Sequence, residues 1–530
     1  MATMGPEGSL VFADEDIDFP ARVPKKTGCT DHDNNIRWGV DEGAIFWSAE
    51  EVAYEPGLAT GWEFSDDLLQ LTFDIRRGVQ YHDGWGEVTG HDWKWAWETT
   101  MEQDSVFPIF LGRDHIDRIE VPDDYTVSMH LTKPNIFFLD TNIPSAGCGS
   151  VPFASKRRVD ELGEEEAHTN LTGGTGPFKY TRFDSGDRAE LEAVPGHWRN
   201  DSNYANVTMV EIQESATQVA ALLVGEIDAA IVPVTQAERF EGSKVELRRQ
   251  RGGGYQRLYA QGRFCMKVSL DGTVPVDPYP RPGYDPTKPW VGDCESPEEQ
   301  ENARKVRWAV SMSIDRQGIV DNILGGFGRQ PGPAEMVGVT YDKYYLDKWA
   351  VPYDPDMARQ YLVEAGYPDG FEMEMRCTTG HPLMVEMCEA IAKGITDIGI
   401  DVNVVTMAYS ANRPCVVARE CGNWWFRTGG EGLGLNPEIA LLRRNSVRTF
   451  NPGFEIREQL EILAKIDACK NTECLDEFRD VHWDWWHHNQ QIIGVVETFG
   501  LIGVNTEKIG EWEIPFGMGG LAAFDRIQKP

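Results

Sequence analysis

Leu71, Phe73 and Ile75 alternate with polar residues and predict a half-buried strand. Arg76-Arg77-Gly78 ends the run, and His82-Asp83-Gly84 follows as a turn, because Asp-Gly is a turn signal. Residues 92–102 then read as a helix. On it Trp93 and Trp97 share a face and Trp95 does not, so the indoles are read as packing. Val127, Met129 and Leu131 alternate as another strand, closed by Pro134. Ser9–Asp14 opens the chain as a strand, 161–167 is a charged helix, and 215–225 is an apolar-periodic helix closed by Gly225.

After Gly252-Gly253-Gly254 the pattern changes, and a Pro- and Gly-rich loop covers 272–292. Helices recur at 298–313, 355–366 and 382–398. A strand at 401–406 follows the last of them and makes an α/β unit. A helix at 455–468, a Trp-rich stretch at 476–489 and a strand at 492–504 complete the pattern, with no internal repeat. His482, His487 and His488 scatter around a helix axis among Trp483, Trp485 and Trp486, and are read as structural, not metal-binding.

At 530 residues the chain exceeds one ordinary core and predicts two or three domains. Its 41% apolar and 11% aromatic content suits a globular protein. No run of about 18 apolar residues predicts a membrane-spanning helix. A net charge of −35 argues against nucleic acid and mildly favours cationic or neutral ligands, although a solubility surface is the better explanation of it. The ten cysteines fall largely into near neighbours: Cys265 and Cys294, Cys377 and Cys388, Cys415 and Cys421, Cys469 and Cys474, with Cys29 and Cys148 left over. This arrangement predicts local disulfides in an oxidising compartment. No nucleophile elbow, zinc-protease motif or phosphate loop occurs, so no catalytic residue, metal or cofactor is expected.

The stretch from Leu71 through Trp97 resembles the signature of the family 5 extracytoplasmic solute-binding proteins, the peptide, nickel and oligosaccharide receptors of ABC importers. Further segments resemble that family in the same order. They are Gly173-Gly174-Thr175-Gly176-Pro177-Phe178, then His197-Trp198-Arg199-Asn200, Gly225-Glu226-Ile227-Asp228, Val306 to Arg316, and Tyr353 to Phe371. The resemblance implies an α/β, two-lobed periplasmic-binding-protein fold (type II, cluster C-like) with an inserted subdomain and a two-strand hinge. Lobe I is then expected at 1–50, 170–258 and 491–530, the inserted subdomain at 51–169, and lobe II at 259–490. It further implies a periplasmic or cell-surface-attached monomer that works with a membrane permease and its ATPase. The first residues lack the basic and apolar regions of a signal peptide, so an export signal is expected to have been removed.

In such a receptor a ligand that touches both lobes stabilises the closed form by differential affinity. Three segments are expected to supply contacts. The first runs from Cys421 to Gly432, in the place of a family loop whose Asp takes a peptide's ammonium. That Asp is absent here; Glu431 is the nearest acid and Asn436-Pro437 lies beyond. Trp424 and Trp425 are candidates for stacking on a sugar ring or an apolar side chain, and Arg427 for a bidentate carboxylate contact. The second segment, Arg376 to Pro382, offers Thr379 and His381 ahead of a helix N-terminus. The third offers Phe46 and Trp47, equally readable as core. An oligopeptide-like solute is expected. The alternatives are an oligosaccharide receptor of the same family and, more remotely, a ligand sensor or a secreted hydrolase.

Overall fold

The alternating runs form strands where their periodicity places them. The computed structural model describes residues 6–17, 20, 22–27, 36–37, 39–48, 53–105, 107, 115–139, 143, 151–270, 272–273, 275–333, 336–379, 383–429, 453–513, 521 and 523–530. They divide into two units. One is drawn from Met1–Gly252 and Gly500–Pro530, the other from Gly253–Gly432 and Asn436–Phe499.

The first unit holds β1 (Ser9–Asp14), β2 (Ile45–Trp47), β3 (Tyr54–Pro56), β4 (Ala59–Phe64), β5 (Gln70–Ile75), β6 (Ile116–Asp123), β7 (Thr126–Leu131), β8 (Phe178–Asp184), β9 (Arg188–Ala193), β10 (Asn206–Glu211) and β11 (Ala229–Ile231). Its main sheet runs β11-β1-β10-β9-β8. β1 is parallel to β10 and β11, a burial pattern that explains the apolar Leu10, Phe12 and Ala13. A separate antiparallel sheet, β4-β5-β7-β6, carries the signature strand. Its core is aromatic. Trp93 and Trp97 are fully buried on the helix Gly90–Thr100, and Trp93 stacks on Phe153 at 5.0 Å and meets Phe73 edge-on at 4.9 Å. Thr89 and Asp92 form the capping box that starts this helix. The charged helix expected at 161–167 is two helices, Lys156–Leu162 and Glu164–Thr169. They are interrupted at Gly163, whose φ of +79° no helix accommodates.

The chain passes between the units inside β12 (Val245–Ala260) and β19 (Ile492–Asn505). The change of pattern at Gly252-Gly253-Gly254 thus falls within one continuous strand. The second unit adds β13 (Arg263–Phe264), β14 (Gly328–Arg329), β15 (Glu372–Thr379), β16 (Asp401–Ala408), β17 (Trp424–Gly429) and β18 (Phe454–Glu455). Here the sheet order is β16-β15-β17-β12. β15 is parallel to β16 and β17, and β17 is antiparallel to β12. The helix Met384–Asp397 connects the parallel strands β15 and β16, making a βαβ unit. Gly370, in the turn before β15, has φ +73°, and a Cβ there would lie 1.7 Å from the Gly399 carbonyl oxygen, so no other residue fits. The pairs Cys265–Cys294, Cys377–Cys388, Cys415–Cys421 and Cys469–Cys474 are disulfides, while Cys29 and Cys148 lie outside the described residues.

Candidate functional site

Trp424–Gly429 is strand, not the loop its bracketing glycines suggested. The run Trp424-Trp425-Phe426 is apolar without alternation, as a strand covered on both faces must be, and all three residues are fully buried. Neither indole therefore presents a face to solvent. Trp424 sits against Trp290 at 5.9 Å. Trp425 lies between Tyr259 at 5.5 Å and Tyr409 at 6.2 Å, and its Nε1 donates to Thr378 Oγ1 at 2.8 Å.

Register brings chemistry to the Trp425 face. On β12, Tyr259 is opposite Trp425, Arg257 is opposite Arg427 and Tyr255 is opposite Gly429. The Arg427 guanidinium lies 5.0 Å from the ring centroids of both Tyr409 and Trp425, and its Nε donates to the Thr428 carbonyl. Arg257 lies 4.9 Å from Tyr255 and 5.6 Å from Tyr259. Two guanidinium groups thus occupy opposed register positions, each within about 6 Å of two of the four aromatic ring centroids. Arg257 is fully buried, whereas Arg427 keeps partial exposure.

Two disulfides fix the surroundings. Cys377–Cys388 ties the end of β15 to the helix that follows, and Cys415–Cys421 ties the helix Tyr409–Ala418 to the approach to β17. Arg376, opposite Trp425 on β15, reaches Asn412 Oδ1 at 3.2 Å and Cys415 Sγ at 3.3 Å. Thr379, the last residue of β15, is half-buried beside this cluster in sequence.

The other candidates lie elsewhere. His381, Glu431 and Asn436 fall outside the described residues. Phe46 belongs to β2 in the first unit and is buried; the backbone of Trp47 pairs with Tyr54. Over the Phe46 ring, at 4.7 Å, stands the Arg199 guanidinium. Arg199 also lies 3.7 Å from Glu42 Oε1 and 3.4 Å from Asp525 Oδ2, both carboxylates being buried. Its neighbours complete the knot. The His197 Nε2–H donates to the Thr175 carbonyl, Trp198 Nε1 to Glu42 Oε2 at 3.0 Å, and Asn200 Nδ2 to the Asp525 carbonyl at 2.7 Å. The family-like His-Trp-Arg-Asn motif therefore acts by joining distant segments.

Tyr255, Arg257, Tyr259 and Tyr409 went unnoticed in the sequence. Tyr255, Arg257 and Tyr259 did carry a signal, an aromatic-basic-aromatic series at strand period just after the three glycines. Among the described residues no group of three or more His, Cys, Asp or Glu side chains is placed to hold a metal, and no helix is long and apolar enough to cross a membrane.

Comparison with known proteins agrees with this picture. Residues 53–430 match the family model described as bacterial extracellular solute-binding proteins, family 5. The chain is 24% identical over 387 residues to heme-binding protein A of Haemophilus influenzae, covering 68% of this chain and 63% of that protein. It is 24% identical over 456 residues to the glutathione-binding protein GsiB of Salmonella choleraesuis, covering 83% and 80%. Among solved structures, HbpA2 of Haemophilus parasuis superposes with a TM-score of 0.77 at 20% identity, covering 99% of this chain and 100% of that one.

Proposed function

Because the chain belongs to the family 5 extracellular solute-binding proteins, the two-lobed receptors of ABC importers, we propose that it captures a peptide-like solute through an anionic end and releases it unaltered to a membrane permease. The observation that carries this reading is Arg427, partly exposed, with its guanidinium 5.0 Å from the ring centroids of both Tyr409 and Trp425. A charge-assisted, two-oxygen contact there needs no ammonium-binding Asp, which the chain lacks. Family relatives include a protein named for binding glutathione, itself a peptide with free carboxylates.

In this reading the lobes are 1–50 with 170–258 and 491–530, and 259–490, with 51–169 as the inserted subdomain. Thr379, His381, Glu431 and Asn436 join Arg427 on one lobe, and the segment of Phe46 and Trp47 serves the other. Trp425 acts as the rigid backing of Arg427, while Trp424, on the other face of the strand, packs against Trp290. The oligosaccharide reading drew on these indoles as exposed platforms and loses that support. The receptor acts as a monomer, in the periplasm or at the cell surface, and uses no cofactor.

A thermal-shift screen tests this. Glutathione and di- to pentapeptides are compared with amidated peptides, oligosaccharides and nickel chelates. Ligand at 100 times its Kd stabilises by about 2.7 kcal/mol, so an active peptide raises Tm measurably. Amidation, or Arg427→Ala, is expected to remove a charged hydrogen bond of about 1.5–3 kcal/mol, a loss of about 10- to 150-fold in affinity. Trp95→Ala, on the remote helix, leaves affinity unchanged. A screen in which only sugars shift Tm, or an Arg427→Ala protein that binds peptide normally, overturns the reading.

A further inference from the structure

The first unit contains a cavity of about 10 Å³ whose lining includes Arg22, Asp41, Phe153, Arg158 and Gly173, none of them a residue assigned to solute capture. We propose that this cavity binds a single halide-sized anion, chloride in physiological salt, between the guanidinium groups of Arg22 and Arg158.

The argument begins with charge. Arg22 is 5% exposed, Arg158 1% and Asp41 7%. Asp41 takes the Arg22 Nη1 hydrogen bond at 2.5 Å and, among the described residues, is the one carboxylate lining the cavity. Among the described residues Arg158 has no carboxylate partner of its own. Its Nη1 donates to the Ala167 and Asn170 carbonyls at 2.8 and 3.2 Å, and its Nη2 donates to the Arg22 carbonyl at 2.7 Å. Asp83 also acts on Arg22, but is shared with Lys179 at 3.7 Å. His82, whose imidazole burial holds neutral, and Tyr81, whose phenol burial keeps protonated, add no charge. Among the described residues, two cations and one anion leave the cavity walls with an excess positive charge on buried groups, which is costly unless compensated.

Hydrogen bonding points the same way. The Nε–H of Arg22 and the Nε–H of Arg158 are both buried and both lack an acceptor. Orphan donors on two buried cations lining one cavity are what an anion satisfies. Burial and the nearby Arg22 push the Arg158 guanidinium down to about 10, still charged at neutral pH. Size selects the class of ligand. The space suits one water-sized sphere, which excludes sulfate, phosphate and carboxylates. Chloride, slightly wider than water, is the smallest anion abundant in physiological salt. Gly173 makes the approach possible. Its φ is +84°, and a Cβ there would lie 2.6 Å from Arg158 Cδ and 2.9 Å from Nε. The first glycine of the Gly-Gly-Thr-Gly-Pro segment is thus the wall of this site.

The test uses the full chain at constant ionic strength, with sodium chloride replaced stepwise by sodium gluconate, whose anion is too large to enter. Chloride is expected to raise Tm saturably, by about 2–4 °C, and Arg158→Met to abolish the difference between the salts. Crystals grown in bromide should show an anomalous peak between Arg22 and Arg158. This arm stands even if the variant fails to fold. Equal Tm in both salts, or bromide crystals with only a water there, overturns the proposal. Neither result depends on which solute the receptor carries.

Discussion

Arg199→Met is expected to destabilise the first unit by about 3–5 kcal/mol, the usual cost of leaving buried charge without its partner. Glu42 is 0% and Asp525 1% exposed. Both Asp525 oxygens, and Glu42 Oε1, receive no hydrogen bond, so the nearby guanidinium is what offsets their burial. The Arg199 side chain is itself only 14% exposed, which limits screening by water and salt. Denaturant unfolding is the measurement. Arg199→Lys, which keeps the charge without the flat contact on Phe46, should lose less. Adding Asp525→Asn to Arg199→Met should recover part of the loss, because the orphaned charge is then gone, giving a coupling of about 1–3 kcal/mol. A loss below about 0.5 kcal/mol in Arg199→Met would show that the carboxylates are satisfied in some other way.

That network shows where reading the sequence stops. His197, Trp198 and Arg199 are visible as a motif, but Glu42 and Asp525 lie near opposite ends of the chain. Nothing local links them. Elements set by local periodicity were legible. Ser9–Asp14 is a strand at the expected residues, and the helices at Pro297–Met312 and Met384–Asp397 lie within two residues of expectation. The short-range disulfides were legible for the same reason, since neighbours in sequence are neighbours in space.

The candidate site was legible only in part. Arg427 was visible as a cation in a suggestive segment. Its role depends on Tyr409, and on Arg257 opposite it across two strands, a register set by the whole sheet. The tryptophans misled because glycines on both sides suggest a loop, while three consecutive apolar residues suggest a covered strand. Burial of both sheet faces decided for the strand. The helix at 161–167 failed on one residue, since Gly163 disfavours a helix by about 1 kcal/mol and adopts a φ that ends one.

Stability is expected to fall in mild acid, and His482 is the group that makes this measurable. Its ring is fully buried on the helix Thr472–Asn489, and its Nε2 accepts from Trp486 Nε1 at 2.8 Å, which requires the neutral imidazole. Burial, and secondarily Arg479, push it down to about 3 from 6.5. Between those values the unfolded chain takes up a proton that the folded chain refuses. The stabilisation is therefore complete above about pH 6.5 and is lost progressively as pH drops towards 3. At about 1.4 kcal/mol per pH unit, a window of about 3.5 units amounts to about 4–5 kcal/mol from this one side chain. His82, His168, His487 and His488 are lowered by burial too and steepen the same slope. Unfolding free energies at pH 7, 6 and 5 measure it. His482→Gln keeps an acceptor for Trp486 but cannot titrate, so its slope below pH 6.5 should be shallower by about one proton. An unchanged slope in that variant would mean that the buried imidazole is already protonated, and that the Trp486 hydrogen bond is not made.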